Sequence, residues 1–321
     1  MGNYKKIASR ARKLGDIAIN IFDTRKLVYI VEKGWVIEEV GRQVTDSLNR
    51  QELISSRISL SDAFLKNKIV HYGSINTFLN ENGIKNKKCK QKNKIVVTWF
   101  HIPFDDVRIR YIPLLNKDTD VVHTSCNLTR EKLIKYGLKK EKIVVIPLGV
   151  DLSIFKSKTK SGKKQVRKKI GLPENKIIIG SFQKDGVGWG EGLEPKLVKG
   201  PDVFLKVVKN LARKYSIFVL LTGPSRGYVK KGLEKMGIPF MHRFLENYLD
   251  IAEYYNALDL YLVTSREEGG PKAILESMAC GIPLITTKVG MAPDIIKDRK
   301  NGMLTNIDDT IDLVKKSALI L

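Results

Sequence analysis

Two glutamates and a lysine around a glycine pair form the cluster in this sequence that is best suited to chemistry. Glu268 is followed by Gly269 and Gly270, and Glu276 comes eight positions after Glu268. Lys272 falls in the first turn of the helix expected between the glutamates, where the helix dipole disfavours a cation. A bound anion removes this conflict, because the free amides of the first turn and the lysine ammonium then converge on it. The spacing therefore indicates a phosphate-binding turn.

The same residues also have a simpler interpretation. Lys272 and Glu276 are four residues apart and can form an incidental ion pair on a solvated helix face, with the lysine first, which is the less favourable order. Short motifs of this kind have many false matches. The spacing alone leaves both interpretations open.

The elements that position this turn are a strand before it and a second strand after the helix. Residues 258–264 (LDLYLVT) and 283–289 (PLITTKV) are short and largely apolar, as buried strands are. Pro271 suits the first helical position, and Gly281 suits the position just past the helix end. The unit is a parallel crossover, and such units bind ligands at the carboxyl ends of their strands.

The rest of the chain alternates in the same way. The other predicted strands are 26–32, 68–73, 94–100, 120–125, 143–146, 176–182, 217–221 and 238–241. The other predicted helices are 36–48, 128–136 capped by Asn127, 202–215 begun by Pro201, and one near 245–257. Strands that alternate with helices predict an α/β fold of two doubly wound, Rossmann-like parallel-sheet domains. We expect the domains to be residues 1–147 and 148–321, with the basic stretch 149–169 as linker.

Several polar or glycine-rich loops follow predicted strands and so belong at the carboxyl edges of the two sheets. If these edges face each other, they form a central cleft that holds the ligand. The loops are Lys33-Gly34-Trp35, His101, 183–200, 223–227 and 268–272.

The charge of the chain narrows the classes of partner. A formal net charge of +23 favours an anionic partner: nucleic acid, an acidic membrane surface or a phosphorylated ligand. Two basic clusters, 85–94 and 156–169, have no interleaved aromatic residues and also fit solvated loops or helix faces. Near the amino terminus, the apolar stripe Ile7, Ala11, Leu14 and Ala18 is ringed by basic residues, which fits either a helix on an anionic bilayer or a surface helix.

Length and composition fit a two-domain globular protein. The chain has 321 residues, of which 43% are hydrophobic and 28% charged. It has neither an apolar run long enough for a membrane helix nor an apolar region near its start that would indicate a secretory signal. The cysteines, Cys89, Cys126 and Cys280, lie far apart without metal-ligand spacing, so we expect free thiols in a reducing cytoplasm.

Four separate segments together resemble the retaining glycosyltransferases of family 4, which have the GT-B fold. They occur in the family's order, and the likeness runs roughly from residue 120 to residue 304. The segments are KIVVIPLGVD at 142–151 with Phe155, the pair Lys199-Gly200, EGGPKAILE at 268–276 with the family's E-x7-E spacing, and SMACGIP at 277–283.

The resemblance implies roles for four side chains. Glu276 would accept hydrogen bonds from the ribose hydroxyls of a nucleotide-sugar donor, and Glu268 would face the transferred sugar. Lys199 would neutralise the leaving phosphate, a preorganised electrostatic role. His101 matches the place where the family often puts a histidine against the donor sugar. A histidine that bonds backbone at a strand end is the alternative.

The resemblance also implies a set of donor-binding residues. The backbone from Gly270 through Ala273 to Ile274 would cradle the diphosphate. The family's arginine after the first strand of domain two is not obvious, and Lys184 would take its place. Arg226 is either a phosphate contact or solvated. The predicted donor-binding set is completed by Glu276, Gly269 and Lys272.

These expectations describe a metal-independent, retaining glycosyltransferase with no cofactor and a nucleotide-diphosphate sugar, such as a UDP-sugar, as co-substrate. The acceptor would be a glycan, a lipid-linked or a small molecule, and the enzyme would act in the cytoplasm, in weak contact with the anionic inner face of the membrane. The alternative is a non-catalytic nucleotide-sugar or glycan-binding protein of the same fold. Nucleic-acid binding rests on charge alone, and we do not expect it.

Overall fold

Two six-stranded parallel sheets organise the chain, one in each of two compact units, Met1–Ile146 and Pro147–Leu321. The structure is a computed structural model that describes residues 2–33, 36–103 and 105–321. Gly34 and Trp35 of the predicted loop after the first strand lie outside the described residues. All strand pairs within the two large sheets are parallel, which confirms the predicted doubly wound α/β class.

Unit 1 has the strand order β2-β1-β3-β6-β7-β8. Its strands are β1 (Leu27–Ile30), β2 (Ser56–Ser59), β3 (Ile69–Tyr72), β4 (Leu79–Asn80), β5 (Gly83–Ile84), β6 (Lys94–Thr98), β7 (Val121–Thr124) and β8 (Ile143–Val145), of which β4 and β5 form a separate antiparallel hairpin. Its helices are α1 (Gly2–Phe22), α2 (Val36–Arg50), α3 (Ile75–Phe78), α4 (Lys87–Lys90), α5 (Ile112–Asp118) and α6 (Asn127–Lys135).

Unit 2 has the strand order β11-β10-β9-β12-β13-β14. Its strands are β9 (Ile177–Ser181), β10 (Ile217–Thr222), β11 (Phe240–Arg243), β12 (Leu260–Val263), β13 (Leu284–Thr287) and β14 (Met303–Thr305). Its helices are α7 (Lys160–Ile170), α8 (Pro201–Ala212), α9 (Gly227–Lys235), α10 (Ile251–Asn256), α11 (Lys272–Ala279), α12 (Ala292–Ile295) and α13 (Thr310–Ile320). Short 3₁₀ turns at Leu197–Lys199 and Tyr248–Asp250 precede α8 and α10.

The sequence pattern explains the central layer of unit 2. Every residue of β12 and β13 is buried, because helices cover both faces of a parallel sheet and its strands can be apolar throughout. In α8, Val203, Val207 and Leu211 are buried at helical spacing on the face that packs on the sheet. These buried residues hold α8 and β12 in place. The loop before α8 and the loop after β12 carry the candidate site.

The strand order places a topological switch point between β9 and β12. From β9 the chain builds outward through β10 and β11, and then returns to pair β12 with the other side of β9. In open parallel sheets the loops that leave the carboxyl ends of such a pair diverge, which opens a crevice for a ligand. The loops in question are 182–200 after β9 and 264–271 after β12.

The N-terminal ends of two helices differ from the sequence prediction. Pro271 is the N-cap of α11 and not its first residue, and the N-cap of α6 is Cys126, whose sulfur accepts the Thr129 amide, and not Asn127. The C-terminal end of α11 is as predicted: Gly281 has φ +68° and its amide bonds the Met278 carbonyl at 3.0 Å.

Several elements escaped the sequence analysis, and three of them are α7, β2 and α9. The predicted linker contains α7, whose Lys163 and Arg167 both pair with Asp259 at the foot of β12, so part of the basic cluster at 156–169 docks on unit 2. Neither β2 nor α9 was predicted, because their sequences are polar or lysine-rich. No helix within the described ranges is both long and apolar enough to cross a membrane.

Candidate functional site

An ion pair at the switch point forms the centre of the candidate site. Lys199, at the end of the loop after β9, places its Nζ 2.6 Å from Oε1 of Glu268, in the loop after β12. The Ser265 hydroxyl donates to the same oxygen at 2.9 Å. The Glu268 side chain is 11% exposed, so its carboxylate is held against the protein and does not face bulk water. The two loops thus bring opposite charges together where ligands of such sheets bind.

Close backbone packing holds these two loops in register. Gly200 has φ +62°, and a Cβ built there would lie 1.9 Å from the Thr264 carbonyl oxygen. The Thr264 hydroxyl donates to the Gly200 carbonyl at 2.8 Å, and the Arg266 amide donates to the Val198 carbonyl at 2.8 Å. Only glycine fits at this crossing. The Lys199–Glu268 distance therefore depends on Gly200.

Positive charge accumulates around Glu268. The pKa of Lys196 is lowered, first by burial and then by the charges of Lys199 and Lys184, while Glu268 acts in the opposite direction. Lys196 thus lies within electrostatic reach of two further lysines and of the Glu268 carboxylate. The excess positive charge suits a multiply charged anion such as a diphosphate.

Glu276 lies in α11 and is almost completely buried. The Tyr255 hydroxyl donates to its Oε2 at 3.0 Å, and the Tyr248 hydroxyl donates to its Oε1. Burial raises the pKa of Glu276, whereas Tyr248, Lys272 and Tyr255 act to lower it. Lys272 Nζ lies 5.4 Å from the centre of the Tyr248 ring. A carboxylate surrounded by hydroxyl donors is a suitable partner for further hydroxyl groups of a ligand.

The turn before α11 offers fewer backbone donors than the sequence predicts. The Ile274 amide donates to the Pro271 carbonyl at 3.0 Å, and the Ile274 side chain belongs to the core. This amide is therefore removed from the predicted phosphate cradle. Lys272 and Ala273, the first two helical residues, have no carbonyl four residues earlier within the helix. Together with Gly270 they remain the backbone donors of the predicted cradle.

Arg226 has a structural position, and the prediction that it contacts phosphate or is solvated is corrected. The side chain is 1% exposed and pairs with Asp185 at 2.9 Å. Its guanidinium donates to the Ser181 carbonyl at 2.6 Å and to the Thr222 carbonyl at 2.8 Å. These bonds tie together the loops after β9 and β10. A buried charge is tolerated only when it is paired and hydrogen-bonded in this way.

Lys184 packs on an aromatic ring of its own loop. Its Nζ lies 3.9 Å from the centre of the Trp189 ring, a cation–π distance. Trp189 itself is largely exposed. The contact with phosphate stays a prediction for Lys184.

The histidines of unit 1 differ in setting. His101 follows β6 and is exposed, and its carbonyl accepts the Trp99 indole N–H at 3.1 Å. Its contact with a donor sugar stays a prediction. His71 and His123 both bond the Thr98 hydroxyl, at 2.8 Å and 3.0 Å. Burial, followed by the charge of His123, lowers the pKa of His71 to about 3.

Three residues of the site carried no role in the sequence analysis. Ser265 could have been found as a polar residue directly after a buried strand. Tyr248 and Tyr255 gave no such signal, because their contacts with Glu276 depend on how α10 and the turn before it pack on α11. Within the described ranges, no group of three or more histidine, cysteine or acidic side chains is arranged to hold a metal ion.

Two curated glycosyltransferases are similar to part of this chain. The D-inositol 3-phosphate glycosyltransferase of Thermomonospora curvata is 27% identical over 212 residues, which is 60% of this chain and 46% of the relative. The protein of the same name from Xylanimonas cellulosilytica is 27% identical over 207 residues, with the same coverage. The chain thus matches less than half the length of these curated relatives.

Solved structures support the fold of the whole chain. Anabaena HepE in complex with UDP and glucose has a TM-score of 0.71 at 17% identity and covers 92% of this chain and 89% of its own. Sucrose-phosphate synthase from Thermosynechococcus elongatus has a TM-score of 0.63 at 15% identity, with 90% and 70% covered. These likenesses confirm the predicted GT-B fold of two Rossmann-like domains.

One family match covers most of the candidate site. Residues 193–321 match the family described as Glycosyl transferases group 1. Lys199, Glu268 and Glu276 all lie within this segment, whereas Lys184 precedes it. The part of the chain that carries the ion pair and the buried glutamate is therefore similar to the Glycosyl transferases group 1 family.

Proposed function

We propose that this protein is a glycosyltransferase that moves a sugar from a nucleotide-diphosphate sugar to a hydroxyl acceptor with retention of anomeric configuration. The observation that carries the proposal is the Lys199–Glu268 pair at the switch point of unit 2, inside the segment that matches the glycosyltransferase family. A cation and a carboxylate side by side suit a substrate that is anionic at its phosphates and becomes cationic at its sugar.

The cationic side of the site would bind the diphosphate. The Lys199 ammonium is close enough to Glu268 to bond both it and a phosphate oxygen, since an ammonium has three donors. The neighbouring charge of Lys196 adds to the attraction. As the glycosidic bond breaks, negative charge grows on the leaving phosphate, and fixed cations stabilise that charge more in the transition state than in the ground state.

The two glutamates would hold the two sugars of the donor. Glu276 would accept the ribose hydroxyls on the side that Tyr248 caps. Glu268 would accept hydroxyls of the transferred sugar and stabilise the positive charge that develops at its anomeric carbon. In this scheme the acceptor hydroxyl attacks from the face that the diphosphate leaves. The leaving phosphate takes the acceptor's proton, so no separate general base is required of the protein.

The nature of the donor and acceptor is also part of the proposal. HepE was solved with UDP and glucose, which supports a uridine nucleotide as the first donor to test. The acceptor would be a glycan, a lipid-linked or a small molecule, reached in the cytoplasm. The reaction would need no metal ion, because lysine ammonium groups provide the charge that a metal would otherwise supply. His101 would contact the donor sugar from unit 1.

A second candidate function is nucleotide-sugar binding without transfer. Arg226, the arginine nearest the end of β9, is fully engaged with Asp185 and two carbonyls and is not available to a leaving phosphate. The donor would then rely on lysines alone. This arrangement is sufficient for binding and gives weaker stabilisation of a leaving group, because an ammonium lacks the bidentate geometry of a guanidinium.

The experiment compares the wild type with Glu268→Gln and a matched control, Glu267→Gln, which changes the same charge one residue away. Purified protein is incubated with UDP-, GDP- and ADP-sugars, and nucleotide release and product configuration are measured. We expect turnover with at least one donor, a retained anomeric configuration, and a loss of about 10²-fold or more in Glu268→Gln only.

Three results would contradict the proposal in different ways. Equal rates in the wild type and Glu268→Gln would remove the catalytic role of the site. An inverted product would remove the proposed same-face attack. Binding of UDP to the wild type, detected as a raised melting temperature, without turnover of any donor would favour the binding protein.

A further inference from the structure

Helix α1 attaches to unit 1 through polar side chains. Arg12 bonds Glu38 at 2.6 Å, the Asp16 carboxylate accepts the Leu60 amide at 2.8 Å, and the Asn20 amide donates to the Ser61 carbonyl at 3.0 Å. These three residues are spaced by four along the helix and so share one face. Asn20 is buried. The inward face of α1 is therefore polar.

The outward face of α1 is apolar. Leu14 is 67% exposed, Ile21 55% and Phe22 83%, and Ala11 and Ala18 are also exposed. At 3.6 residues per turn these positions lie opposite the inward face. An ordinary surface helix turns its apolar stripe to the core and its polar face to water. Helix α1 does the reverse, and among residues 9–22, where side chains are described, none belongs to the core of unit 1.

Charges beside this apolar stripe are positive. Arg10 is exposed on the helix four residues before Leu14, and Arg25 and Lys26 are exposed just beyond the helix end. The acidic residue of the helix is turned the other way, since Asp16 lies on the inward face near Arg57. Long basic side chains beside an apolar stripe can reach anionic groups while their stems stay on apolar surface.

We propose that the outward face of α1, defined by Ala11, Leu14, Ala18, Ile21 and Phe22, binds the surface of an anionic lipid bilayer. The helix would lie in the interfacial plane with its apolar stripe among the acyl chains and its basic residues at the headgroups. A second copy of the chain fits this face less well, because both copies would bring positive charge to the contact and neither would bring the opposite charge. The inference is independent of the proposed function.

The experiment measures binding of the full chain to vesicles by co-sedimentation. One set of vesicles is phosphatidylcholine alone, and the other is phosphatidylcholine and phosphatidylglycerol in equal parts. We expect binding to the anionic vesicles, weaker binding when salt is raised, and little binding to phosphatidylcholine. In the double variant Leu14→Glu/Phe22→Glu, binding to the anionic vesicles should fall by about tenfold or more, since two apolar anchors are lost.

The matched control is Ile311→Glu/Leu319→Glu on α13, whose side chains are 83% and 64% exposed. It makes the same charge change on another helix and should bind as the wild type does. Both double variants should melt as the wild type does, because the replaced side chains are exposed.

Three outcomes would overturn the proposal. The first is a wild type that ignores anionic vesicles. The second is an equal loss of binding in the two double variants, which would assign the effect to net charge. The third is a dimer in solution that Leu14→Glu/Phe22→Glu alone converts to monomer, which would assign the face to a second copy.

Discussion

The two units share a doubly wound parallel sheet but bury different polar groups. Unit 1 places a neutral series, His71, Thr98 and His123, within its central strands, where each imidazole bonds the same hydroxyl. Unit 2 places charged groups at the carboxyl edge, with Lys199 against Glu268. Neutral side chains that hydrogen-bond one another inside a sheet support the fold. Opposite charges at the edge of a sheet, where ligands bind, can act on a ligand. The chemistry of the edge, and not the sheet, distinguishes the two units.

The largest effect should come from removing the cation of the edge. In Lys199→Met, kcat/KM of the proposed transfer should fall by about 10²- to 10³-fold, because a preorganised charge on the leaving phosphate is lost. The melting temperature should also fall, since the Glu268 side chain is only 11% exposed and its carboxylate would lose its cationic partner. Steady-state kinetics and thermal melts measure the two effects.

The control for this variant is Lys206→Met, an exposed lysine on α8. It should keep wild-type kinetics. A Lys199→Met enzyme as active as this control would show that the edge charge is incidental, and the contrast between the units would then lose its functional meaning.

A second prediction concerns the backbone crossing beneath the ion pair. In Gly200→Ala the new Cβ would meet the Thr264 carbonyl, and the loops after β9 and β12 must separate. We expect a loss of unfolding free energy of about 2 to 3 kcal/mol together with lower activity. Urea unfolding and kinetics are the measurements.

Gly188→Ala separates steric clash from backbone strain. Gly188 also has a positive φ, +73°, but nothing lies within 4 Å of its added Cβ. The Gly188→Ala variant should lose only about 1 kcal/mol of unfolding free energy, which is the cost of an alanine in the left-handed conformation. Equal losses in the two variants would show that the Thr264 contact does not fix the crossing.

A third prediction concerns the neutral groups of unit 1. The pKa of His71 is about 3 in the folded state, against about 6.5 in an unfolded chain. The unfolded state therefore binds more protons between these values, and stability is full above pH 6.5 and is lost as pH falls toward 3. From pH 6.5 to 5 we expect His71 to account for a loss of about 2 kcal/mol.

Hydrogen exchange of the β3 and β6 amides measures this loss in unit 1 alone. The comparison is with His71→Asn, whose exchange should depend less steeply on pH. An identical pH dependence in both proteins would show that His71 is not kept neutral by the fold.

Sequence reasoning reached the fold because local signals agreed with it. The apolar runs of β12 and β13, together with Gly281, mark a crossover whose ends the structure reproduces within a few residues. The switch point could not be read from sequence, because the neighbours of β9 are decided by which later strand returns to pair with it. The same limit applies to Arg226, whose partners come from two loops distant in sequence.

Helix α1 shows a different limit of the same reasoning. Its periodicity is visible in the sequence, and the structure has the helix. Periodicity alone does not say which face meets the protein, and the usual rule assigns the apolar face to the core. Arg12, Asp16 and Asn20 reverse that rule through specific hydrogen bonds, which depend on groups in α2 and in the loop after β2.

The smallest expected effect concerns the hydrogen bond that the Tyr248 hydroxyl donates to Glu276. In Tyr248→Phe the buried carboxylate loses a hydroxyl donor, which should lower stability by about 1 kcal/mol. A ribose hydroxyl would restore that donor, so UDP affinity should rise a few-fold, as isothermal titration calorimetry would show. Tyr254→Phe, a neighbouring change on α10, should leave affinity unchanged. A fall in UDP affinity in Tyr248→Phe would mean that the phenol itself holds the nucleotide, and that the charged edge of unit 2 recognises its ligand through tyrosine as well as through glutamate.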